Sequence, residues 1–432
     1  MCRAHGSRCK RVTNGTSVAL APYRVLDLTG EIGQFAGRCF AELGADVVKV
    51  EPPNGDPVRG IGPFVHDESK PDRSLLWFTL NASKRGVTLD IEKAEGRDLL
   101  RKLIANTDLV IDSYAPGYLQ SIGIDQQAIR REHPKLVWVS VTGFGQDGPY
   151  ANYKWSDMIG QALGGLLFLW GEPDKPPSRP RAAQGYYHAS MGAALSGMVA
   201  LYHARRTGRG QYIDVSMQEV LTFVLAGPGG VSGYWSLEGM NITRSGPGIN
   251  LGHLISRTIY TCKEGYVAVS TMFGPHFPRL LELMKNGNAA GFLAEDPKWL
   301  NATRFAPLPT QWRCEQADAD AAEDLFSKWL LRYTREEIMQ FATDHQLMIY
   351  PVLDVPDNLT NKQLEARNYW KKVRHEDIDT TVTYPGPPVR MTATPWKMKS
   401  AAPRLGQDND DVYGKLGLSP EEVNKLAEAG AI

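Results

Sequence analysis

The sequence has no net charge, few cysteines and no long apolar segment. Lysine plus arginine and aspartate plus glutamate both number 48, so the chain as a whole has no electrostatic attraction to nucleic acid or to an anionic membrane. No apolar run reaches the length of a membrane span. Five scattered cysteines in 432 residues are typical of free thiols in a reducing compartment. We therefore expect a cytoplasmic protein without a nucleic-acid or membrane partner.

The motifs of several enzyme classes are also missing. The sequence contains no G-x-x-x-x-G-K-[ST] phosphate loop, no G-x-S-x-G nucleophile elbow and no H-E-x-x-H metal helix. Its histidines are dispersed, and Cys2, His5 and Cys9 lack a second pair of ligands at zinc-site spacing. We therefore expect no metal site and no serine hydrolase.

Composition divides the chain into five regions. Residues 1–18 are basic and polar without the apolar segment of a signal peptide, and we expect a disordered extension there. Residues 19–235 predict a large domain, and the glycine- and proline-rich residues 236–254 predict a linker. Residues 255–350 predict a small α+β domain. Residues 351–432 begin with a proline-rich but apolar stretch, which predicts an extended strap that returns to the large domain.

Strands and helices alternate in the predicted large domain. The strand-like segments are short and rich in valine, isoleucine and leucine: RVLDLTG (24–30), DVVKVE (46–51), GVTLDI (86–91), LVIDSY (109–114) and LVWVSVTGFG (136–145). Strands that alternate with helices pair in parallel and are covered on both faces. The sequence therefore predicts a doubly wound, Rossmann-like α/β sheet.

The remaining regions have weaker patterns. TIYTCKEGYVAVST (258–271) predicts a hairpin, and charged helical segments follow at about 276–285 and 320–345. The terminal SPEEVNKLAEAGAI predicts a helix with Ser419 as its N-cap and Pro420 at its first position.

Three glycines follow the first predicted strand. Gly30, Gly33 and Gly37 have the spacing G-x-x-G-x-x-x-G, which differs from the G-x-G-x-x-G dinucleotide fingerprint and disfavours a nicotinamide cofactor. A glycine-containing turn of this kind admits a phosphate or an adenine, and it is equally expected of a simple turn. The residues alone thus indicate an α/β protein that binds a nucleotide-like ligand.

The segment GYYHASMGAALSGMVALYHARRTGRGQ (185–211) predicts a buried helix. Small and apolar residues run through it, Arg205 and Arg206 occupy its last turn, and Gly208 follows as a cap. Tyr186 stands at its start.

Eight ordered blocks of the sequence resemble the class III CoA-transferases, the family of the carnitine and formate CoA-transferases. They are VLDLTGEIGQFAGRCFAELGADVVKVEPPNGDPVRG (25–60), LNASKRGVTLDI (80–91), SYAPGYLQSIGI (113–124), VSVTGFGQDGPY (139–150), SDMIGQALGG (156–165), ALYHARRTGRGQYIDVSMQE (200–219), YPGPPVRM (384–391) and APRLGQDNDDVYGKLGLS (402–419). The resemblance implies a large domain built from both chain ends and an inserted small domain. It also implies two interlocked, ring-like subunits with each active site at their interface.

The resemblance further implies nucleophilic catalysis by an aspartate that follows a glycine at the start of the helix ending in T-G-x-G-Q. Its carboxylate attacks the acyl-CoA thioester to give a mixed anhydride, and CoA then forms a thioester with the enzyme. In this chain the position falls on Tyr186, and a phenol with a pKa of about 10 does not replace a carboxylate. No Asp or Glu lies between Asp174 and Asp214, and we expect Asp157 to be structural.

The family's arginines for the CoA phosphates are missing as well. Ala115 and Ser121 occupy the two arginine positions of the SYAPGYLQSIG block. Each lost charge-assisted hydrogen bond costs about 1.5–3 kcal/mol, so we expect only a weak or vestigial CoA site. Its candidate residues are Ile32, Gly33, Arg59, Lys84, Arg85 and Tyr114. The cations among them are equally expected to be ordinary surface charges.

These departures resemble the aspartate-lacking subunits of heterodimeric class III transferases. The resemblance implies an aspartate-bearing paralogue as partner, CoA thioesters as substrates and no permanently bound cofactor. The implied reaction moves CoA from succinyl-CoA to a carboxylic acid such as benzylsuccinate, while this chain completes the partner's active site.

Two alternatives stay open. One is a self-sufficient homodimeric transferase, or an acyl-CoA racemase or isomerase with His188 and Tyr186 as candidates. The other is a non-enzymatic acyl-CoA-binding or assembly subunit.

Overall fold

The computed structural model describes residues 18–225, 231–250, 255–270, 272, 277–300 and 315–432. The chain forms two compact units. The large unit consists of residues 18–165, 181–225 and 363–432, and the second unit consists of the described parts of Leu166–Pro180 and Ala226–Lys362. The domain boundaries expected from composition stay a prediction. The expected disordered extension lies, apart from Val18, outside the described residues.

A six-stranded sheet forms the centre of the large unit. Its strands are β1 (Arg24–Leu28), β2 (Asp46–Glu51), β3 (Arg85–Thr88), β4 (Leu109–Asp112), β5 (Val137–Thr142) and β6 (Tyr212–Ser216). They lie in the order β3-β2-β1-β4-β5-β6, and every neighbouring pair is parallel. This confirms the predicted α/β class and the central parallel sheet.

Helices cover both faces of this sheet. They are α1 (Glu31–Glu42), α2 (Leu75–Asn81), α3 (Ala94–Ala105), α4 (Tyr118–Ser121), α5 (Gln126–Glu132), α6 (Asp157–Leu163), α7 (Gln184–Thr207) and α8 (Met217–Leu225). Val110 and Trp138 share a core with α3 and α5, whereas Gly197 of α7 packs against Leu109 and Val139, whose side chains point to the other face. Both faces are therefore buried, which explains why the strands have no polar side.

The long helix α7 ends as the sequence predicts. Arg205 and Arg206 lie in its last turn, and Gly208 caps it in the left-handed conformation with φ 75°. A side chain is strained in that conformation, which is why glycine occupies the position. The cap confirms the sequence-based end of the helix.

The carboxyl-terminal part of the chain returns to the large unit. After α15 (Lys362–Ala366), β12 (Lys371–His375) pairs with β13 (Thr380–Tyr384), and α16 (Asn409–Lys415) and α17 (Pro420–Glu428) follow. Residues 385–405 contain neither helix nor strand. The predicted cap of α17 is confirmed: Ser419 and Glu422 form a capping box, with Pro420 in the first turn.

The second unit has its own core. Its elements are α9 (Val231–Glu238), β7 (Gly248–Asn250), β8 (Ile255–Arg257), β9 (Ile259–Cys262), β10 (Gly265–Val269), α10 (Phe277–Asn286), α11 (Pro297–Leu300), α12 (Gln316–Leu330), α13 (Arg335–His345), β11 (Ile349–Pro351) and α14 (Val355–Leu359). The antiparallel pair β9–β10 confirms the predicted hairpin. Aromatic side chains such as Trp299, Phe326 and Trp329 fill the core. None of the described helices has the length and apolarity needed to cross a membrane.

Candidate functional site

The strand order changes direction between β1 and β4. At such a point the loops after two neighbouring parallel strands diverge and leave a crevice at the carboxyl edge of the sheet. Here a cavity of about 580 Å³ opens over the ends of β1, β2 and β3, between Gly30 and Tyr114. The hydroxyl of Ser113 accepts a hydrogen bond of 2.7 Å from the Gly30 N–H and ties the two loops together. We call this cavity the switch crevice.

The turn from β1 into α1 forms one side of the switch crevice. Asp27 accepts hydrogen bonds from the backbone N–H and the hydroxyl of Thr29 at 3.0 and 2.6 Å. A Cβ on Gly33 would lie 2.4 Å from Cγ2 of Thr29, so a close approach requires glycine here. The carbonyl of Ile32 accepts a 2.6 Å hydrogen bond from Ser190 of α7. Ile32 and Gly33 thus fix the turn and link it to α7.

Tyr114 forms the other side. Its ring stacks on Tyr118 with centroids 5.2 Å apart, and Tyr118 donates a 3.1 Å hydrogen bond to Glu92. Burial raises the pKa of Tyr114, so its phenol stays protonated at neutral pH. Of the predicted CoA residues, Tyr114 lines this crevice, whereas Gly33 lies in the turn that supplies Gly30 to its wall.

Lys84 is a buried structural cation. Its ammonium donates to Asp27 at 2.7 Å, to the carbonyl of Gln34 at 2.7 Å and to Asn81 at 2.8 Å. These three acceptors use all of its N–H donors. Burial lowers the pKa of Lys84 to about 8. The side chain is fully enclosed, and its predicted contact with CoA stays a prediction.

Arg59 is also held by the fold. Its guanidinium binds Glu51 through two nitrogens, at 2.6 and 2.8 Å, and Asp72 at 2.6 Å. It donates to the carbonyl of Pro403 at 3.0 Å and lies 3.8 Å from the ring centroid of Trp77. The bidentate pair joins β2 to the following turn, and Arg59 is only 2% exposed.

Arg85 lies at the opposite edge of the sheet. It begins β3, whereas the switch crevice follows the ends of the strands. Its guanidinium pairs with Asp46 at 2.6 Å and with Asp411 at 2.8 Å. The structure thus does not bring Arg85 together with Tyr114.

The walls of the switch crevice contain more carboxylates than cations. Glu51, Asp56, Asp90 and Glu92 line it, and Lys49 is its one lysine among the described residues. Lys49 is buried and pairs with Asp56 at 3.1 Å. A phosphate placed here would meet negative charge without a free cation.

Helix α7 begins on a buried carboxylate. Asp157 accepts hydrogen bonds from the N–H groups of Gly185 and Tyr186 at 2.7 and 3.2 Å, and from Gln161 at 2.7 Å. Backbone N–H groups at a helix start lack partners within the helix, and a carboxylate there also favours the helix dipole. Asp157 is 5% exposed. These contacts agree with its expected structural role.

Tyr186 occupies the first turn of α7. Its ring packs edge-on against Trp155, with centroids 6.1 Å apart. Two residues further, Nδ1 of His188 lies 2.6 Å from the carbonyl of Gln184. Since a carbonyl only accepts, Nδ1 carries the proton of this hydrogen bond.

One carboxylate near this helix start was missed by the sequence analysis. Tyr187 packs against Phe35 of α1 with ring centroids 5.1 Å apart, which brings it near Glu31 one turn earlier. Burial raises the pKa of Tyr187, Arg38 partly offsets this shift and Glu31 adds to it. No sequence pattern links Glu31 to α7, because the packing of two distant helices creates the proximity. No metal-binding group of three or more His, Cys, Asp or Glu side chains occurs in the described part of the chain.

Comparison with known proteins identifies the family. The sequence model of CoA-transferase family III matches residues 20–409. The chain belongs to CoA-transferase family III. It is 32% identical to the succinyl-CoA:(R)-benzylsuccinate CoA-transferase subunit BbsE of Thauera aromatica, over 95% of this chain and 97% of that protein. It is 28% identical to the succinyl-CoA–L-malate CoA-transferase alpha subunit of Chloroflexus aurantiacus, over 96% and 92%.

A solved structure supports the same assignment. A CAIB/BAIF family protein from Brucella suis matches with a TM-score of 0.78 and 26% identity, over 91% of this chain and 98% of that chain. The family resemblance drawn from the sequence blocks is therefore confirmed, and an activity of the CoA-transferase kind is supported.

Proposed function

We propose that this chain is the subunit without a nucleophile in a heteromeric CoA-transferase of family III. The observation that carries the proposal is Tyr186, which stands in the first turn of α7 where the family resemblance expects the attacking aspartate. A phenol protonated at neutral pH does not attack a thioester, and an aryl ester does not exchange as an anhydride does.

The neighbouring carboxylate does not take over this role. Asp157 is buried and accepts three hydrogen bonds, two of them from the start of α7. Removing these donors so that the carboxylate could attack would leave the helix start uncapped. The active centre is therefore assigned to a paralogue that carries the aspartate.

The charge of the switch crevice supports a weak CoA site in this chain. Lys84 and Arg59 are saturated by partners within the fold, and Ala115 and Ser121 stand in place of two arginines. Charge-assisted hydrogen bonds to phosphate are thus unavailable from these positions.

An exposed apolar face on α7 supports a partner subunit. Met191, Leu195, Val199 and Tyr202 recur at helical spacing, and Leu195 is 69% and Val199 58% exposed. Phe223 on the following helix α8 is 80% exposed. Large apolar side chains exposed along one helix face favour a protein interface. We propose that it contacts the aspartate-bearing subunit in an interlocked dimer.

The proposed reaction moves CoA from succinyl-CoA to a carboxylic acid such as benzylsuccinate. The thioester bond to the succinyl group and one C–O bond of the acceptor carboxylate break. A thioester bond to the acceptor acyl group forms, the oxygen is transferred to the succinyl carbon to give succinate, and no oxidation state changes. The similarity to subunits of succinyl-CoA-dependent transferases supports this donor.

Reconstitution tests the proposal. The chain and an aspartate-bearing paralogue are purified alone and together, and CoA exchange between succinyl-CoA and benzylsuccinate is followed by chromatography. We expect exchange from the mixture only, with complete loss when the paralogue's aspartate is replaced by asparagine. Exchange by the lone chain would contradict the proposal. No increase on mixing would instead favour a non-enzymatic acyl-CoA-binding or assembly role.

A substitution at Tyr186 separates the lost nucleophile from the lost CoA site. Tyr186→Asp restores a carboxylate, and we expect it to remain inactive alone because the cations are engaged elsewhere. Tyr186→Asn, similar in shape but unable to form an anhydride, is the matched control. Substantial turnover by the Asp variant and none by the Asn variant would mean that only the nucleophile was lost.

The proposed interface has its own test. Leu195→Glu places a charge at the centre of the exposed face of α7, and we expect loss of the heteromer in size-exclusion chromatography because a buried charge is unpaired there. Ala105→Glu, on an exposed position of α3, introduces the same charge elsewhere and should leave assembly unchanged. Equal assembly of both variants rejects this face as the interface.

A self-sufficient enzyme is the second candidate, and Glu31 is the observation that favours it. The packing of Phe35 on Tyr187 brings α1, which begins at Glu31, to the residue that follows the expected position of the nucleophile. If the lone chain exchanges CoA, Glu31→Gln should abolish that exchange. In the racemase or isomerase alternative, His188→Gln should do so instead, since His188 would hold the transferred proton.

A further inference from the structure

A cavity of about 410 Å³ lies in the carboxyl-terminal part of the large unit. One wall comes from the turn between α15 and β12, at 366–371, and the other from the irregular stretch at 387–396. We name it the Lys371 cavity. We propose that it binds a small organic anion, whose oxyanion is held by cationic side chains and whose flat apolar part lies against aromatic rings.

The two walls of the Lys371 cavity are in close contact. A Cβ on Gly386 would lie 1.9 Å from the carbonyl oxygen of Tyr369, so only glycine allows the chain to pass here. The same Cβ would lie 3.4 Å from Cε of Lys371, whose stem therefore packs against the start of the other wall. Trp396 is fixed by a 2.7 Å hydrogen bond from its Nε1–H to Glu42. Backbone contacts and this hydrogen bond thus define the shape of the cavity.

The lining of the cavity is positively charged. Arg367, Lys371 and Arg390 line it, and within the part of the chain that the structure describes no carboxylate does so. None of these three cations forms an ion pair with a described residue, whereas Arg374, on the same strand as Lys371, pairs with Asp379. The switch crevice, in contrast, has more carboxylates than cations. The Lys371 cavity therefore attracts anions.

Two of the cations converge on one turn. The ammonium of Lys371 donates a 2.7 Å hydrogen bond to the carbonyl of Asn368, and the guanidinium of Arg390 donates to the carbonyl of Arg367. An ammonium has three N–H donors and a guanidinium has five, so most of these donors have no acceptor among the described residues. An oxyanion between the two groups would offset their mutual repulsion and accept several charge-assisted hydrogen bonds.

The remaining lining residues indicate the class of ligand. The rings of Tyr369 and Trp396 and three prolines place apolar surface beside the cations. A flat apolar group packs well on such rings, and the volume falls within the range of small-molecule sites, about 300–1,000 Å³. Glu42, behind Trp396, is neutralised by Arg38 at 2.7 Å. The ligand is therefore a small flat molecule with one oxyanion group, supplied by a phosphate ester or by a carboxylic acid.

The Lys371 cavity is independent of the proposed function. It includes neither the start of α7 nor the exposed apolar face of that helix, and it shares no lining residue with the switch crevice among the described residues. Binding there does not require the aspartate-bearing subunit.

Calorimetric titration of the full-length chain with phenyl phosphate and with benzoate tests the proposal. Both probes combine a flat ring with an oxyanion, and they distinguish the phosphate-ester source from the carboxylate source. We expect saturable binding of at least one probe. Lys371→Gln should weaken it by about tenfold, since a charge-assisted hydrogen bond is removed. Lys372→Gln is the matched control, because Lys372 is the exposed neighbour on β12 and is not a lining residue. It should bind as the unchanged chain does.

Two further variants guard against a folding defect in Lys371→Gln. Arg367 is exposed and its side chain has no hydrogen bond to a described residue, so Arg367→Gln removes a charge without breaking a contact of the fold. Thr392 is exposed on the other wall, and Thr392→Glu adds a negative charge there. Each variant should weaken binding of the same probe by about threefold to tenfold, through lost attraction or added repulsion.

The ring is tested with anions that lack it. Inorganic phosphate, compared with phenyl phosphate, or acetate, compared with benzoate, should bind more weakly because neither packs on the aromatic wall. Equal affinity would overturn the assignment of a flat apolar ligand.

Three results would overturn the proposal as a whole. The first is absence of saturable binding by both probes at millimolar concentration. The second is equal affinity of the unchanged chain and all three cavity variants, because the probe would then bind elsewhere. The third is weaker binding in Lys371→Gln alone, because a local folding defect would explain it.

Discussion

Tyr114 lines two cavities at the carboxyl edge of the sheet, the switch crevice and a cavity of about 470 Å³ between α5 and the end of β4. The cations beside these two cavities have different partners. Next to the switch crevice, Lys84 and Arg59 pair with the buried carboxylates of Asp27 and Glu51. In the other cavity Arg130 has no such partner among the described residues. A cation that is paired with a buried carboxylate contributes to the stability of the fold, whereas a cation without such a partner contributes little. The sequence alone does not distinguish the two, because the pairing is created by folding.

Replacing Arg59 should have the largest effect on stability. Arg59→Met leaves Glu51 fully buried and unpaired, and breaking a buried pair by removing one partner costs about 3–5 kcal/mol. Urea unfolding followed by circular dichroism measures the change. Arg85→Met is the control, since its more exposed pair with Asp46 contributes less than about 1 kcal/mol. Equal losses of stability in the two variants would contradict the expectation that the buried pair of Arg59 contributes more than the exposed pair of Arg85.

The pH dependence of stability tests the same contrast for a carboxylate, Asp112. Asp112 is buried without an ion pair among the described residues, and burial raises its pKa from 3.8 to about 6. Between these pH values the native state keeps a proton that the unfolded chain has released. The free energy of unfolding therefore falls as pH rises through this window.

Asp112→Asn removes this titration. We expect the stability of the unchanged chain relative to the variant to decline by about 2–3 kcal/mol between pH 4 and 7. Urea unfolding of both proteins at several pH values provides the measurement. A constant difference across this range would mean that Asp112 keeps an ordinary pKa in the native state.

The parts of the fold that follow from local patterns were predicted correctly. The β1–α1–β2 unit, the Gly208 cap of α7 and the capping box of α17 each depend on residues close in sequence. Periodicity and capping chemistry are visible there. The parallel sheet could be predicted because alternating strands and helices leave few arrangements, although its sixth strand, β6, was not among the predicted segments.

The candidate site was predicted only in part. The resemblance located the start of α7 and the turn after β1, but the structure divides the proposed cations between a buried network and the opposite edge of the sheet. Glu31 and Arg130 were not found at all. Their positions depend on how α1 meets α7 and how α5 lies over β4, and neither contact has a pattern in one sequence.

Substitution of Gly33 tests whether its close contact with Thr29 requires a glycine in the turn beside the switch crevice. Gly33→Ala places a Cβ against Thr29, and overpacking of this kind should destabilise the chain by about 1–2 kcal/mol. Adding Thr29→Ser removes the methyl group in closest contact and keeps the hydroxyl bonded to Asp27. Thermal unfolding of both variants should show partial recovery in the double variant. No recovery would place the constraint in the backbone of α1 rather than in the contact with Thr29.

Arg130 provides the smallest expected effect and the sharpest contrast with Arg59. Arg130→Gln should change the free energy of unfolding by less than about 0.5 kcal/mol, because its Nε has no hydrogen-bond partner and its guanidinium forms no ion pair within the part of the chain that the structure describes. Urea unfolding beside Arg59→Met makes the comparison under one set of conditions. A loss of stability as large as that of Arg59→Met would mean that the charge of Arg130 stabilises the fold as much as the charge of Arg59 does. The contrast between the two cavities would then be wrong.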